Sequence, residues 1–163
     1  MGQITLDKTD LKILQVLQEN GRLSNVELSD RVALSPSPCL RRLKQLEESG
    51  IIRRYAALLA PARLDLGLQV FIRVSINKAP DAREEFSRAV LGWQQVLGCY
   101  ALTGETDFLL HAFFTDMTAF SHFVLDVLLS HTAVLDAHSS FVLKEIKNTT
   151  SLPLGHLQPV YAP

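Results

Sequence analysis

The chain has 163 residues, of which 47% are hydrophobic and 20% are charged, and its formal net charge is −1. A chain of this length forms one medium domain or two small ones, and this hydrophobic fraction is typical of a globular protein with a buried core. The near-neutral charge argues against a protein that coats nucleic acid nonspecifically. No stretch approaches the roughly 20 apolar residues of a membrane span, and residues 1–10 lack a signal peptide's apolar stretch. We therefore expect a cytoplasmic protein with no membrane partner.

The basic residues are unevenly distributed along the chain. Residues 1–60 contain nine Lys or Arg and seven Asp or Glu, whereas residues 61–163 contain seven and ten. Within residues 35–56, five basic residues accompany two acidic ones. A modest basic patch on a near-neutral chain fits a reader of specific nucleic-acid sequences better than a nonspecific binder.

The first third of the chain predicts three short helices. Asp7 is placed to cap the first helix with Asp10 at its third position, and Asn20-Gly21 is expected to end it in a left-handed conformation. The stretch Ser24-Asn25-Val26-Glu27 is a capping box, which predicts a second helix running to about Val32.

A third helix is predicted directly after the second. Ser35 is expected to cap it, and Pro36 suits the first helical position, where no amide donor is needed. The helix is expected to run to Ser49 and to stop at Gly50. Residues 51–59 alternate weakly and carry Arg53 and Arg54, which is typical of a short wing hairpin.

The two faces of the predicted third helix differ in polarity. At 100° per residue one face is apolar and expected to be buried, whereas the other is polar with Arg42 at its edge. Arginine can bond a guanine edge bidentately, and Lys and Ser suit phosphates. The alternative is an ordinary solvated face whose basic residues pair with Glu47 and Glu48. The apolar set is Cys39, Leu40, Leu43 and Leu46, and the polar set is Ser37, Arg41, Lys44 and Gln45.

From residue 67 onwards the pattern changes to strands alternating with helices. The order is βαββαβ, which predicts an α+β chain with a ferredoxin-like second domain. The predicted domains are 1–60, a linker at 61–66, the ferredoxin-like domain at 67–150 and a tail at 151–163. The predicted elements are a strand through Val70, Ile72, Val74 and Ile76, a helix from Pro80-Asp81, a strand over 96–102, a tight turn at 103–106, a strand over 108–114, a helix capped by Asp116 and a strand over 139–147.

Several stretches of this sequence resemble the Lrp/AsnC, or feast/famine, transcription regulators. They are residues 24–29, the run Leu34-Ser35-Pro36-Ser37-Pro38-Cys39-Leu40-Arg41-Arg42, residues 50–52 and residues 55–59, within a similarity that covers about residues 5–155. The resemblance implies a winged helix-turn-helix whose third helix enters the major groove of double-stranded DNA. It also implies that the second domain forms dimers, that dimers associate into rings, often octamers, and that free amino acids bind between these domains. The predicted DNA-binding residues are Ser35, Ser37, Pro38, Arg41, Arg42, Lys44 and Arg53.

The candidate effector site is the loop Thr103-Gly104-Glu105-Thr106-Asp107-Phe108. Gly104 exposes backbone amides that suit a carboxylate, Asp107 or Glu105 can accept an ammonium, and Phe108 can contact an apolar side chain. From the residues alone an ordinary hairpin turn is the alternative, but the loop matches the Gly-x-x-Asp motif of the family that the sequence resembles. Burying a polar ligand side chain without partners costs about 1–3 kcal/mol, so we expect leucine or methionine as the effector.

Two other classes of protein are considered. A ferredoxin-like enzyme or small-molecule sensor without a DNA-binding role is the main alternative, but no nucleophile elbow, phosphate-binding loop or metal-ligand spacing is found. An RNA-binding sheet needs exposed aromatic residues on two central strands, which residues 70–76 and 108–114 do not offer. We expect no cofactor, no metal and no catalytic residues.

Overall fold

The computed structural model describes residues 6–157. The chain divides into two compact units, one formed by residues 59–146 and the other by residues 1–58 together with 147–163. Residues 1–5 of the predicted N-terminal domain and residues 158–163 of the predicted tail lie outside the described residues. Among the residues described, no helix is long and apolar enough to cross a membrane.

The N-terminal unit contains the three predicted helices, α1 (Lys8–Glu19), α2 (Asn25–Val32) and α3 (Pro36–Glu48). Both N-terminal caps predicted for α1 and α2 are present as complete capping boxes, in which the cap side chain and the third residue satisfy each other's backbone amides. Two details of the prediction are wrong. Asn20 ends α1 in an extended conformation rather than a left-handed one, and the Ser35 side chain makes no capping hydrogen bond at α3.

The core of the N-terminal unit lies between its three helices. One apolar stripe from each helix is buried there, and Leu154 of the C-terminal segment packs against the same cluster. Hydrophobic burial therefore fixes which face of each helix points inward. The buried residues are Ile13, Leu14, Leu28, Val32, Cys39 and Leu46.

The predicted wing hairpin is not formed. Residues 53–60 have no strand pairing, and the chain then enters a 3-10 helix at Pro61–Leu64. A strand forms only when a second strand satisfies its backbone hydrogen-bonding groups. Here a 3-10 helix follows where the second strand of the hairpin was expected. The weak alternation of residues 51–59 therefore did not predict the structure of this segment correctly.

The second unit is a four-stranded antiparallel sheet with helices packed against one face. The strands lie in the order β2-β3-β1-β4, which is the ferredoxin-like arrangement and confirms the predicted fold class. Its elements are β1 (Leu68–Ile76), α4 (Ala82–Val90), β2 (Val96–Ala101), β3 (Phe108–Phe114), α5 (Met117–His122) continued by a π-helix (Phe123–Leu128), and β4 (Val134–Phe141).

The core of the second unit lies between the helices and one face of the sheet. Alternate residues of β1 and β3 are fully buried there, as period-two alternation predicts. Phe86 of α4 is at its centre, with its ring 4.8 Å from that of Phe108 and 5.6 Å from that of Trp93. The opposite face of the sheet carries no helix of this unit, and we call it the open face.

Two sequence predictions in the second unit need correction. The last strand is Val134–Phe141 rather than 139–147, because its bounds follow the register with β1, in which Val70 pairs with Phe141 and Ile76 with Val134. The connection between β2 and β3 is a six-residue loop over 102–107 rather than a four-residue tight turn. Leu102 N donates to Asp107 O at 2.8 Å and closes this loop.

Candidate nucleic-acid interface and effector loop

The outward face of α3 is polar and basic. Ser37, Arg41, Lys44 and Gln45 are exposed, as predicted, and Cys39 and Leu46 on the opposite side are buried. Within the part of the chain that the structure describes, neither Arg41 nor Lys44 has an ion-pair or hydrogen-bond partner. Both cations are therefore available to bind an external anion or base edge, and neither pairs with Glu47 or Glu48.

Leu40 was predicted to be buried but is 40% exposed. The buried stripe of α3 is narrower than predicted. Cys39 and Leu46 are buried in the core of the N-terminal unit, and the half-buried Leu43 packs against that core beside them. An exposed apolar side chain beside basic residues is able to contact the methyl group of a thymine, and the sequence did not indicate this exposure.

Arg42 differs from its neighbour Arg41 because it is held by α1. Arg42 Nη1 donates to Asp7 Oδ2 at 2.6 Å and to Asp10 Oδ1 at 2.8 Å. These two carboxylates are the capping box of α1, so the same pair that starts α1 also anchors α3. Burial tends to raise the pKa of Asp7, but hydrogen bonds from the Asp10 amide and the Arg42 guanidinium outweigh it and lower the pKa.

The beginning of α3 is also tied to the beginning of α2. Asn25 Nδ2 donates to Pro36 O at 2.9 Å, which joins the first residues of the two helices. Ser35 is exposed and Pro38 is half-buried at this end of α3. Arg53 is exposed in the extended segment, where it lines a groove with Arg54, Tyr55 and the end of α1.

The loop over 102–107 has unused backbone donors. Gly104 adopts a φ of +111°, which lets the chain turn where a Cβ would be strained. Residues 103–105 are exposed, and the amides of 103–106 donate no hydrogen bond to any residue that the structure describes. Four unpaired amides in one loop can donate hydrogen bonds to a carboxylate.

Asp107 is bound on both carboxylate oxygens. Ile76 N donates to Oδ2 at 3.0 Å, and Arg83 Nη2 donates to Oδ1 at 2.8 Å. Its backbone amide donates to Val74 O at 3.0 Å, so Asp107 joins the loop to the end of β1 and to α4. Glu105 is exposed and has no partner among residues 6–157.

Arg83 is the residue of this site that sequence reasoning missed. It lies in the first turn of α4, where the helix dipole disfavours a cation, and this conflict was the signal that could have found it. Its guanidinium carbon is 5.4 Å from the centre of the Phe108 ring. Phe108 itself is 3% exposed and belongs to the core, so it supports Arg83 rather than forming an open wall of the loop.

Comparison with known proteins agrees with both halves of this architecture. A family model described as winged helix-turn-helix DNA-binding matches residues 6–53, and one described as Lrp/AsnC ligand binding domain matches residues 69–152. The leucine-responsive regulatory protein of Escherichia coli is 42% identical over 148 residues, which cover 90% of each chain. The chain belongs to the Lrp/AsnC family.

Solved structures of Lrp/AsnC regulators have the same fold. The crystal structure of a transcriptional regulator from Neisseria meningitidis, in complex with L-methionine, is 77% identical with a TM-score of 0.93 and covers 94% of this chain and 100% of that one. An AsnC family regulator from Agrobacterium tumefaciens is 33% identical with a TM-score of 0.87, at 94% and 100% coverage. As a member of this family the protein is a DNA-binding transcription regulator that responds to amino acids, and its class is that of regulators rather than enzymes.

Proposed function

We propose that this Lrp/AsnC regulator reads the major groove of double-stranded DNA through α3. Arg41 bonds a guanine edge, and Ser35, Ser37, Lys44 and Arg53 contact phosphates. The observation that carries this assignment is the exposure of Arg41 and Lys44 without a protein partner, beside a buried face that holds the helix in place. Pro38 lies in the first turn of α3, and we assign it to the end of the helix that approaches the DNA backbone closely.

For Arg42 we propose a role other than the DNA contact that the sequence predicted. Its Nη1 donates to both Asp7 and Asp10, which supports a role in orienting α3 rather than in contacting DNA. Leu40 joins the DNA-contacting set in its place, because an exposed apolar side chain discriminates thymine by its methyl group.

The effector is a small apolar amino acid, methionine or leucine, bound at residues 103–108. The loop offers unpaired amides for a carboxylate and the acidic groups of Glu105 and Asp107 for an ammonium, with little provision for a polar ligand side chain. The solved complex of the neisserial relative with L-methionine and the name of the leucine-responsive relative support the same class of ligand.

The protein works as a homo-oligomer, with dimers that associate to octamers. Its proposed location is the cytoplasm, which contains the DNA that it binds. The open face supports this proposal, because it presents Phe71, Leu109 and Phe113 without a covering helix from its own unit. On this face the rings of Phe71 and His111 stack with their centroids 4.6 Å apart. Burial lowers the pKa of His111, and the negative charge of Glu145 partly opposes this shift. We assign assembly and effector binding to residues 67–150, DNA binding to 1–60 and no catalytic activity to the chain.

A thermal-shift screen of the full chain against the standard amino acids tests the effector assignment. A ligand that binds the native state raises the melting temperature by mass action, so we expect shifts with methionine and leucine but not with asparagine or lysine. The test variant is Asp107→Asn, which keeps an acceptor for Ile76 N–H but loses the negative charge. We expect methionine and leucine not to raise its melting temperature. A shift with lysine or asparagine alone contradicts the apolar effector, and an unaltered shift in Asp107→Asn moves the site elsewhere.

A further inference from the structure

The segment over residues 53–60 carries the exposed Arg53, but backbone hydrogen bonds do not hold it in place. Its amides donate no hydrogen bond to any residue that the structure describes. A backbone hydrogen bond from Ile52 N to Leu46 O at 3.2 Å precedes the segment. Conformational freedom beyond this point opposes binding, because ordering the segment on a ligand costs entropy.

The Tyr55 side chain ties this segment to the helices of the N-terminal unit. Its hydroxyl donates a hydrogen bond to Oε1 of Glu47, near the end of α3, at 2.8 Å. Its ring covers Gly21, after the end of α1, so closely that a Cβ at Gly21 would lie 3.2 Å from the ring carbon Cδ1. The tether therefore reaches two helices, and it lies two positions from Arg53.

This tether leaves the cations of the segment free. Glu47 accepts from the neutral Tyr55 hydroxyl, and neither Arg53 nor Arg54 has an ion-pair or hydrogen-bond partner in the described part of the chain. Burial and, next, the hydrogen bond to the negative Glu47 raise the pKa of Tyr55 to about 12, so the hydroxyl remains a donor at neutral pH. A hydrogen bond to a carboxylate is stronger than one between neutral groups.

We propose that Tyr55 is a positioning residue for DNA binding, which holds Arg53 beside α3 through Glu47. The inference rests on the proposed function, in which α3 reads bases and Arg53 contacts a phosphate. Because the segment is ordered before DNA binds, the Arg53 contact forms without the entropic cost of ordering it. A phosphate contact is the same for every sequence, so Tyr55 raises the affinity for all duplexes alike.

Fluorescence anisotropy of the full chain with two labelled DNA duplexes tests this role. One duplex is selected from a random pool by the wild type, and the other has the same composition in scrambled order. Tyr55→Phe removes only the hydroxyl, and it is measured alone and combined with Arg53→Gln, which removes the proposed phosphate contact. The matched control combines Tyr55→Phe with Arg41→Gln, which removes the proposed base contact. Tyr55 is 48% exposed, so we expect Tyr55→Phe to melt within about 2 °C of the wild type.

We expect Tyr55→Phe to weaken binding to both duplexes about threefold to tenfold, the loss expected for one hydrogen bond. Added to Arg53→Gln, it should weaken binding by less than about twofold, because the contact that Tyr55 orders is already absent. Added to Arg41→Gln, it should weaken binding by the same factor as in the wild type. Tyr55→Phe should also make the affinity less dependent on salt although it removes no charge, because fewer phosphates are neutralised.

A second pair of variants tests the acceptor of this hydrogen bond. Glu47→Gln and Glu47→Ala lose the same charge, but only Glu47→Gln keeps an oxygen that can accept from the Tyr55 hydroxyl. We expect Glu47→Ala to bind both duplexes about threefold to tenfold more weakly than Glu47→Gln does. This pair decides the role of the hydrogen bond if Tyr55→Phe does not fold.

Five results overturn the role of Tyr55 while leaving α3 as the DNA reader. They are wild-type affinity in Tyr55→Phe or in Arg53→Gln, the same loss from Tyr55→Phe with and without Arg53→Gln, a loss confined to the selected duplex, an unchanged salt dependence of Tyr55→Phe, and equal affinity of the two Glu47 variants. Wild-type affinity for both duplexes in Arg41→Gln and Arg53→Gln alike overturns the proposed function and this inference together.

Discussion

At the scale of single residues, Arg41 and Arg42 have opposite surroundings although they are adjacent and identical. Arg41 is exposed and unpaired among the described residues, whereas Arg42 is 29% exposed and bonded to two carboxylates of α1. One step along a helix rotates a side chain by about 100°, which moves it from the outward face to the edge of the core. We therefore propose that the same residue type serves DNA recognition at one position and the placement of α3 at the next.

Substitution of the two arginines by glutamine should separate these roles. Arg42→Gln should lower the free energy of unfolding by about 1–2 kcal/mol, because Asp7 and Asp10 lose their partner. Arg41→Gln should change it by less than about 0.5 kcal/mol but weaken binding to a selected DNA site by about 1–3 kcal/mol. Urea denaturation and fluorescence anisotropy measure the two effects. Equal stability of the two variants, or unchanged sequence preference in Arg41→Gln, contradicts the assignment.

At the scale of elements, the C-terminal segment is part of the N-terminal unit. Gln18 of α1 brackets Leu152, donating from Nε2 to its carbonyl at 3.2 Å and accepting from its amide at Oε1 at 2.6 Å. Leu154 packs against the helical core, whereas the Leu152 side chain is 71% exposed. The segment is therefore held by the backbone of Leu152 and the side chain of Leu154.

Alanine substitutions should distinguish the two leucines. Leu154→Ala should lower the free energy of unfolding of the N-terminal unit by about 1–2 kcal/mol, less than a fully buried leucine because the site is only partly buried. Leu152→Ala should change it by less than about 0.5 kcal/mol, since its contacts with Gln18 involve only backbone atoms. Denaturation monitored by hydrogen exchange of α1 amides measures both. If both variants destabilise α1 equally, the segment is not anchored through Leu154.

At the scale of the whole molecule, the open face decides the proposed assembly. Leu109 lies on this face beside Arg73, and Leu91 is 86% exposed at the end of α4, away from the sheet. Leu109→Lys should shift the full chain towards monomers, because a buried ammonium at the interface lacks a partner, and Leu91→Lys should sediment like the wild type. Sedimentation velocity measures the effect. Unchanged assembly of Leu109→Lys means that the open face is not the dimer interface.

Local features of this protein could be predicted from the sequence because they depend on neighbouring residues. The capping boxes at Asp7 and Ser24 need a partner only three positions away, and the alternation of β1 and β3 follows from period two. The approximate bounds of α1, α2 and α3, the βαββαβ order and the presence of a loop between β2 and β3 were therefore accessible without a structure. The family motif over 34–42 supplied the function class.

Tertiary structure alone decided which side chains meet across the chain. Arg42 reaches a carboxylate 35 positions away, Arg83 one 24 positions away, and Gln18 a backbone group 134 positions away. The bounds of β4 likewise depend on its register with β1. Sequence periodicity does not reveal contacts between residues so far apart in the chain. The partner of a half-buried charge, or of an extended strand, is set by the packing of whole elements. Of these three residues the sequence singled out only Arg42, and only the folded chain assigned each one its partner.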